Sequence, residues 1–268
     1  MSKSIKGTAL ITGASTGIGA VYADRLAARG YDLILVARDR GRMEELAERL
    51  RATTGRTIDV LAADLTDRSD LASVEKRLAT DETITLLVNN AGMSLNGGLL
   101  DSEPASVERL IALNIAAPTL LAAAAGKAFV ARGAGAIVNL ASVLALAPEI
   151  FDGVYSGSKA YILNLSLSLA EQVREAGVKV QAVLPGATRT EIWERSGKDI
   201  NAMPQDMVME VGDLVDAALL GFDRGETVTI PPLAYETQWT DYQQARLALA
   251  PNRSRRDVAP RYREAVAA

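Results

Sequence analysis

The chain of 268 residues contains no cysteine and no histidine. Disulfides, thiol nucleophiles and serine-histidine charge systems are therefore excluded, as are zinc sites built on imidazole or thiolate. Proton transfer near neutral pH falls to a carboxylic acid, a lysine or a tyrosine whose pKa has been moved by its surroundings. Positive charge is in deficit too: 29 Lys and Arg against 33 Asp and Glu leave a net charge of -4, with no basic footprint for nucleic acid. The one cationic stretch, NRSRRDVAPRYR from Asn252, reads as a solvated or subunit-contacting arm. MSKSIKGTALITGAS at the N-terminus has neither the apolar run nor the cleavage site of a secretory signal. No apolar stretch of roughly eighteen residues or more follows it. The expectation is a soluble cytoplasmic protein without a membrane partner.

What the chain does have is apolar surface, 49% of its residues, enough for one substantial core. Short β-branched and leucine-rich runs alternate with helical patterns. The candidate strands are TALIT from Thr8, DLILVA from Asp32, DVLAAD from Asp59, ITLLVNN from Ile84, AIVNLAS from Ala136, KVQAVLP from Lys179 and TVTIP from Thr227. Each is nearly all apolar, as strands covered by helices on both faces must be. Between them lie windows such as RGRMEELAERLRA, where Met43, Leu46, Ala47 and Leu50 form one buried helical face. The pattern predicts a single α/β domain over 1–268, a Rossmann-type, doubly wound and mostly parallel seven-stranded sheet. Two segments break its rhythm: a variable substrate segment at about 190–210, carrying Met203, Met207 and Met209, and a C-terminal arm at about 231–268. Clustered methionines serve as core filler or as a pliable lid over an apolar ligand.

ITGASTGIGA follows the first strand and opens a helix. Gly13, Gly17 and Gly19 let the backbone turn sharply and approach a bound group, while amides at the helix start suit an anionic pyrophosphate. The spacing differs from the common Gly-x-Gly-x-x-Gly fingerprint, so the turn alone is a weak signal. The second strand ends VARDR: Ala37 stands where an acidic residue would bind the ribose of NAD, and Arg38 offers a fork suited to the extra phosphate of NADP. Asp39 reads as a helix N-cap. NADP is expected as the preferred cofactor, with NAD as the alternative.

Tyr155 and Lys159, four apart in GVYSGSKAYILNLSLSLA, share one helix face. A phenol of pKa ~10 needs roughly 4 kcal/mol of phenolate stabilisation to work near neutrality. An ammonium ~4 Å away supplies about that much at an effective dielectric of ~20 and about half at twice the distance, so lysine alone is marginal and the charge of an oxidised nicotinamide would supply the remainder. Ser142 ends the fifth candidate strand, NNAG (Asn89 to Gly92) ends the fourth, and Asn114 sits inside an apolar helix, where its amide needs a partner.

Taken in order, TGASTGIG, Asp64-Leu65, NNAG, Asn114, Ser142, YSGSK and PGATRT resemble the short-chain dehydrogenase/reductase family over roughly Gly7 to Thr190. The resemblance implies that Tyr155 is the proton donor and acceptor and that Ser142 bonds the reacting oxygen. It further implies that Lys159 binds the nicotinamide ribose and depresses the tyrosine pKa, and that Asn114 holds a relay water. By the same resemblance, Gly13, Ser15, Thr16, Gly17, Ile18 and Gly19 surround the phosphates, with Arg38 selecting NADP and Arg42 assisting. Asp64 and Leu65 would flank the adenine, Asn90, Ala91 and Gly92 its ribose. Pro185, Gly186, Thr188 and Thr190 would meet the carboxamide end. A homotetramer or homodimer is implied as well. The expected activity interconverts a carbonyl and an alcohol; the other class kept open is a nucleotide sensor without turnover. The loop VLALAPEIFDG after Ser142 is mostly apolar apart from Glu149 and Asp152, hinting at a neutral hydrophobic substrate.

Overall fold

The computed structural model describes residues 6–263. It divides into two compact units, Met1–Pro231 and Pro232–Ala268. The first unit is built on strands β1 (Thr8–Thr12), β2 (Asp32–Ala37), β3 (Ile58–Ala62), β4 (Ile84–Asn89), β5 (Gly135–Leu140), β6 (Val178–Val183) and β7 (Val228–Thr229). They form one sheet in the order β3-β2-β1-β4-β5-β6-β7, and every pairing is parallel. The strand order reverses between β1 and β4, which opens a crevice at the carboxyl edge there.

Helices α1 (Gly17–Ala28), α2 (Arg40–Thr54), α3 (Arg68–Thr80), α4 (Pro104–Ile111), α5 (Ala117–Arg132), α6 (Gly153–Val173), α7 (Ile192–Arg195) and α8 (Val211–Arg224) connect the strands. Alternation along each strand sends neighbouring side chains to opposite faces. Ile11, Leu33 and Leu35 pack with Tyr22, Met43 and Leu214 from α1, α2 and α8 on one face. Leu10, Ile34 and Val36 pack with Val74, Leu121 and Phe129 from α3 and α5 on the other. The four residues expected to form the buried face of α2 are buried, and Asp39 caps that helix by accepting from Arg42 N at 3.0 Å.

Two expectations need correction. TVTIP yields only the two-residue β7, since Pro231 and Pro232 cannot donate to a ladder. The run Pro104–Arg132 is one helix whose length and composition would suffice to cross a membrane, against the expectation of none. Leu121, Ala122, Ala125 and Phe129 of that run are buried in the core, where an apolar helix serves equally well.

In the second unit, α9 (Glu236–Ala248) buries none of its residues, and Trp239 stacks on Tyr242 with centroids 5.5 Å apart.

Candidate active site

Asp152 accepts hydrogen bonds from Val154 N (2.9 Å) and Tyr155 N (3.2 Å), capping α6 and fixing where Tyr155 enters it. This buried carboxylate is therefore spoken for by the helix, which accounts for its place in an otherwise apolar loop. One turn on, Lys159 is buried, with Nζ 5.5 Å from the Tyr155 ring centroid and 2.8 Å from the Leu140 carbonyl it donates to. Ser142 is buried at the end of β5, where it accepts from Leu144 N at 3.1 Å and donates to Pro185 O at 3.4 Å, near enough to Tyr155 to act on its phenol.

Burial pushes the Tyr155 phenol up to about 12, and the hydrogen bond with Ser142 acts against that rise. Burial also pulls Lys159 down to about 8. Burial therefore opposes, in the protein alone, the lowering expected of Lys159 together with an oxidised nicotinamide. The ammonium's own hydrogen bond is turned onto the Leu140 carbonyl.

Asn114 lies in a π-helical turn, Ala112–Ala116, between α4 and α5. Its side chain accepts from Met93 N (2.9 Å) and donates to Met93 O (2.8 Å) and to Ser158 Oγ (3.2 Å). Ser158 Oγ in turn donates to Tyr155 O at 2.7 Å. The amide is thus a buried cross-brace between the chain after β4 and the first turns of α6. A Cβ added to Gly92 would lie 3.4 Å from Asn114 Oδ1 and 3.6 Å from Lys159 Nζ, so the bare glycine keeps space open between them.

A second buried brace escaped the sequence. Asn89 Nδ2 donates to Asn139 Oδ1 (3.0 Å) and to Pro118 O (3.1 Å), and Asn139 Nδ2 donates to Ser166 Oγ (2.9 Å). It ties β4 and β5 to α6, the helix that carries Tyr155 and Lys159. Polar residues at strand positions were the available signal, because a buried amide demands partners.

At the glycine turn, Gly13 and Gly17 have φ of 65° and 55°, values that favour glycine. A Cβ on Gly19 would stand 2.3 Å from Gly13 O. Asn90 Nδ2 donates to Thr12 O (2.9 Å) and Gly13 O (3.2 Å), and Ala91 N donates to Thr12 Oγ1 (3.0 Å), lashing the turn to the end of β4. Thr16 stands at the N-cap of α1 without a side-chain cap bond, and the helix has no acidic residue in its first turn. A cavity of about 460 Å³ opens there, lined by Ser15, Thr16, Gly17, Arg42 and Arg49 together with Leu46 and the carboxylates of Glu45 and Glu191, the last of which is paired with Arg42. Bare helix amides, hydroxyls and two guanidinium groups are a donor set that fits the phosphates of a dinucleotide.

Arg38 is exposed just after β2. Partial burial raises the Asp64 carboxyl, but hydrogen bonds from Thr66 and the charges of Arg109 and Arg38 outweigh it and leave the group below its ordinary range. Leu65 is buried in the core, so its side chain is used in packing. Ile18 is partly buried against the other core face.

After β6, Pro185 O accepts from Val143 N at 2.9 Å, and Thr188 Oγ1 donates to Gly186 O at 3.0 Å. Thr190 leans over the glycine turn, 3.4 Å from where a Cβ on Gly17 would stand. Arg189 staples the following segment to itself through Glu210 (2.9 Å), Asn201 (3.2 Å) and Gln205 (2.7 Å). Of the three methionines, Met207 is exposed and Met209 packs against the core, so they do not act as one apolar patch. Lys198 Nζ sits 3.8 Å from the Phe151 ring centroid, and Phe151 meets Tyr155 edge-on at 5.6 Å.

A doubly wound parallel sheet, a glycine turn at its switch point and a Ser-Tyr-Lys cluster at the same edge define a Rossmann-type oxidoreductase. Residues 7–201 match the family model described as short chain dehydrogenase, and the chain belongs to that family. It is 52% identical to a short-chain dehydrogenase from Sphingobium yanoikuyae solved in complex with NADPH, covering 96% of this chain and 100% of that one at a TM-score of 0.94. It is 48% identical to the bulky-bulky ketone specific alcohol dehydrogenase from Comamonas testosteroni, covering 97% and 99% at a TM-score of 0.89. Human 17-beta-hydroxysteroid dehydrogenase type 3 is 35% identical over 186 residues, 68% of this chain and 59% of its own length.

Proposed function

We propose that the protein is an NADPH-linked oxidoreductase that interconverts apolar ketones and their alcohols, with Tyr155 as the proton donor and acceptor. The observation that carries this is the meeting of Ser142, Tyr155 and Lys159 beside the glycine turn's crevice. When bound, the nicotinamide supplies and accepts the hydride. The chain's own residues do the rest. Ser142 orients the reacting oxygen, and Tyr155 gives it a proton. Lys159 serves the ribose side and the tyrosine, and Asn114 fixes the loop and helix between which a relay water would run. A phenol set beside a serine hydroxyl and an ammonium suits proton transfer, and nothing in a nucleotide sensor calls for that set.

Arg38 would favour the 2′-phosphate. The substrate segments carry the partly buried apolar side chains Leu144, Leu146, Phe151, Ile192 and Trp193, which favour a substrate with apolar groups on both sides of its carbonyl. The Comamonas relative's ketone specificity and the Sphingobium relative's NADPH are consistent with this. Family resemblance adds a cytoplasmic homodimer or homotetramer to the proposal. A panel of alkyl and aryl ketones assayed for NADPH oxidation tests the function. Turnover across apolar ketones is expected; no oxidation with any carbonyl would leave the sensor.

A further inference from the structure

Glu191 follows Thr190 at the start of the segment beyond β6, and its carboxylate stands between two arginines. Arg42 Nη1, on α2, donates to it at 2.8 and 3.1 Å, and Arg195 Nη2, one helical turn further along the segment, donates at 2.6 Å. The same Arg195 nitrogen lies 3.5 Å from Thr16 Oγ1, the residue that opens α1. Glu191 also lines the cavity at the glycine turn, opposite Ser15, Thr16 and Gly17. Arg42 and Glu191 are 149 positions apart in sequence, so their pair joins the two banks of the dinucleotide crevice. The hydrogen bond from Arg42, more than any other influence, holds the Glu191 carboxyl below its ordinary range, so the carboxylate is charged at neutral pH.

We infer that Glu191 is a positioning residue that clasps residues 190–195 over the bound dinucleotide by bridging Arg42 and Arg195, thereby slowing cofactor release. This rests on the proposal that the protein binds NADPH. Glu191 lines the cavity with Thr16 and Gly17, at the turn that would hold the phosphates common to NADPH and NADH, so the clasp is expected to act on both. The pairs are half-exposed, with side chains 41 to 54% accessible, which limits their strength. Two such pairs sharing one carboxylate correspond to roughly a three- to tenfold effect on an equilibrium constant.

The test is cofactor binding, followed by nucleotide fluorescence at equilibrium and by stopped flow, in wild type, Glu191→Gln, Arg42→Ala and the double variant. Glu191→Gln is expected to raise Kd about three- to tenfold for both NADPH and NADH, through faster dissociation. In the Arg42→Ala background the same change should have a smaller effect, since half the bridge is already gone. Unchanged Kd and dissociation rate in Glu191→Gln would overturn the inference. So would tighter binding, which would make the carboxylate a competitor of the phosphates, and so would strict additivity in the double variant. Wild-type protein that binds neither nucleotide would overturn the cofactor proposal and the clasp together, whereas the other three outcomes leave the cofactor proposal standing.

Discussion

The ammonium nitrogen of Lys159 lies 5.5 Å from the centroid of the Tyr155 ring, with its hydrogen bond directed onto the Leu140 carbonyl. The half-buried phenol and the buried ammonium thus share one turn of helix. Replacing Tyr155 with Phe removes the proton and leaves the ring in contact with Phe151. Ketone reduction should fall by on the order of a hundred- to ten-thousandfold. NADPH affinity by fluorescence titration should change less than threefold or so. A variant retaining most of its turnover would remove Tyr155 from the chemistry.

Lys159 gives the protein a specific dependence of stability on pH. Burial lowers its folded-state pKa to about 8, from an unfolded value of 10.5. Between those values the unfolded chain holds a proton that the folded chain has released, so unfolding free energy rises with pH. The gain across the window is about 3 kcal/mol at most. Tyr155, with its pKa raised, contributes stability that is lost only from pH 10 upward. Urea unfolding of wild type and Lys159→Met at pH 7, 8.5 and 10 isolates the lysine: the difference between the two proteins should shift in favour of wild type as pH rises. A pH-independent difference would mean that Lys159 does not titrate in that window.

Asn114 accepts from and donates to the backbone of Met93, and its amide also reaches Ser158. Asn114→Ala strands the Met93 N-H and carbonyl and unlinks them from α6. Leaving such groups unpaired costs about 1 to 3 kcal/mol each where they are buried. Stability should drop by about 2 kcal/mol, read as a lower urea midpoint at unchanged slope. A smaller loss would indicate that water takes over the amide's bonds.

That brace marks the limit of what the sequence made visible. Strands β1 and β2 were legible to the residue, because a strand covered on both faces must be apolar throughout and DLILVA permits nothing else. The face shared by Tyr155 and Lys159 was legible for a similar reason, four residues being about one helical turn. The π-helical turn around Asn114 was hidden, since ALNIA has nothing that distinguishes a one-residue insertion from ordinary helix. The partners of Asn139 and Glu191 lie in distant segments, and only the folded chain brings them together. The opposing effect of burial on Tyr155 was hidden too, since spacing speaks only to the charge beside it.

Arg42 was expected to help Arg38 with the extra phosphate of NADP, but the structure ties it to Glu191 and places it 3.5 Å from Asp39. Arg38, exposed at the end of β2 next to the crevice, is then the guanidinium with the greater freedom to take that phosphate. A charge-assisted bond of this kind is worth about 1.5 to 3 kcal/mol. Arg38→Ala should weaken NADPH by roughly ten- to a hundredfold and leave NADH nearly unchanged. Parallel titrations with the two nucleotides measure the ratio directly, and an equal loss for both would transfer the 2′-phosphate preference to another residue. Because loss of the Glu191 clasp should weaken both nucleotides equally, the two variants give different signatures in the same assay, one altering the ratio and the other only the affinity.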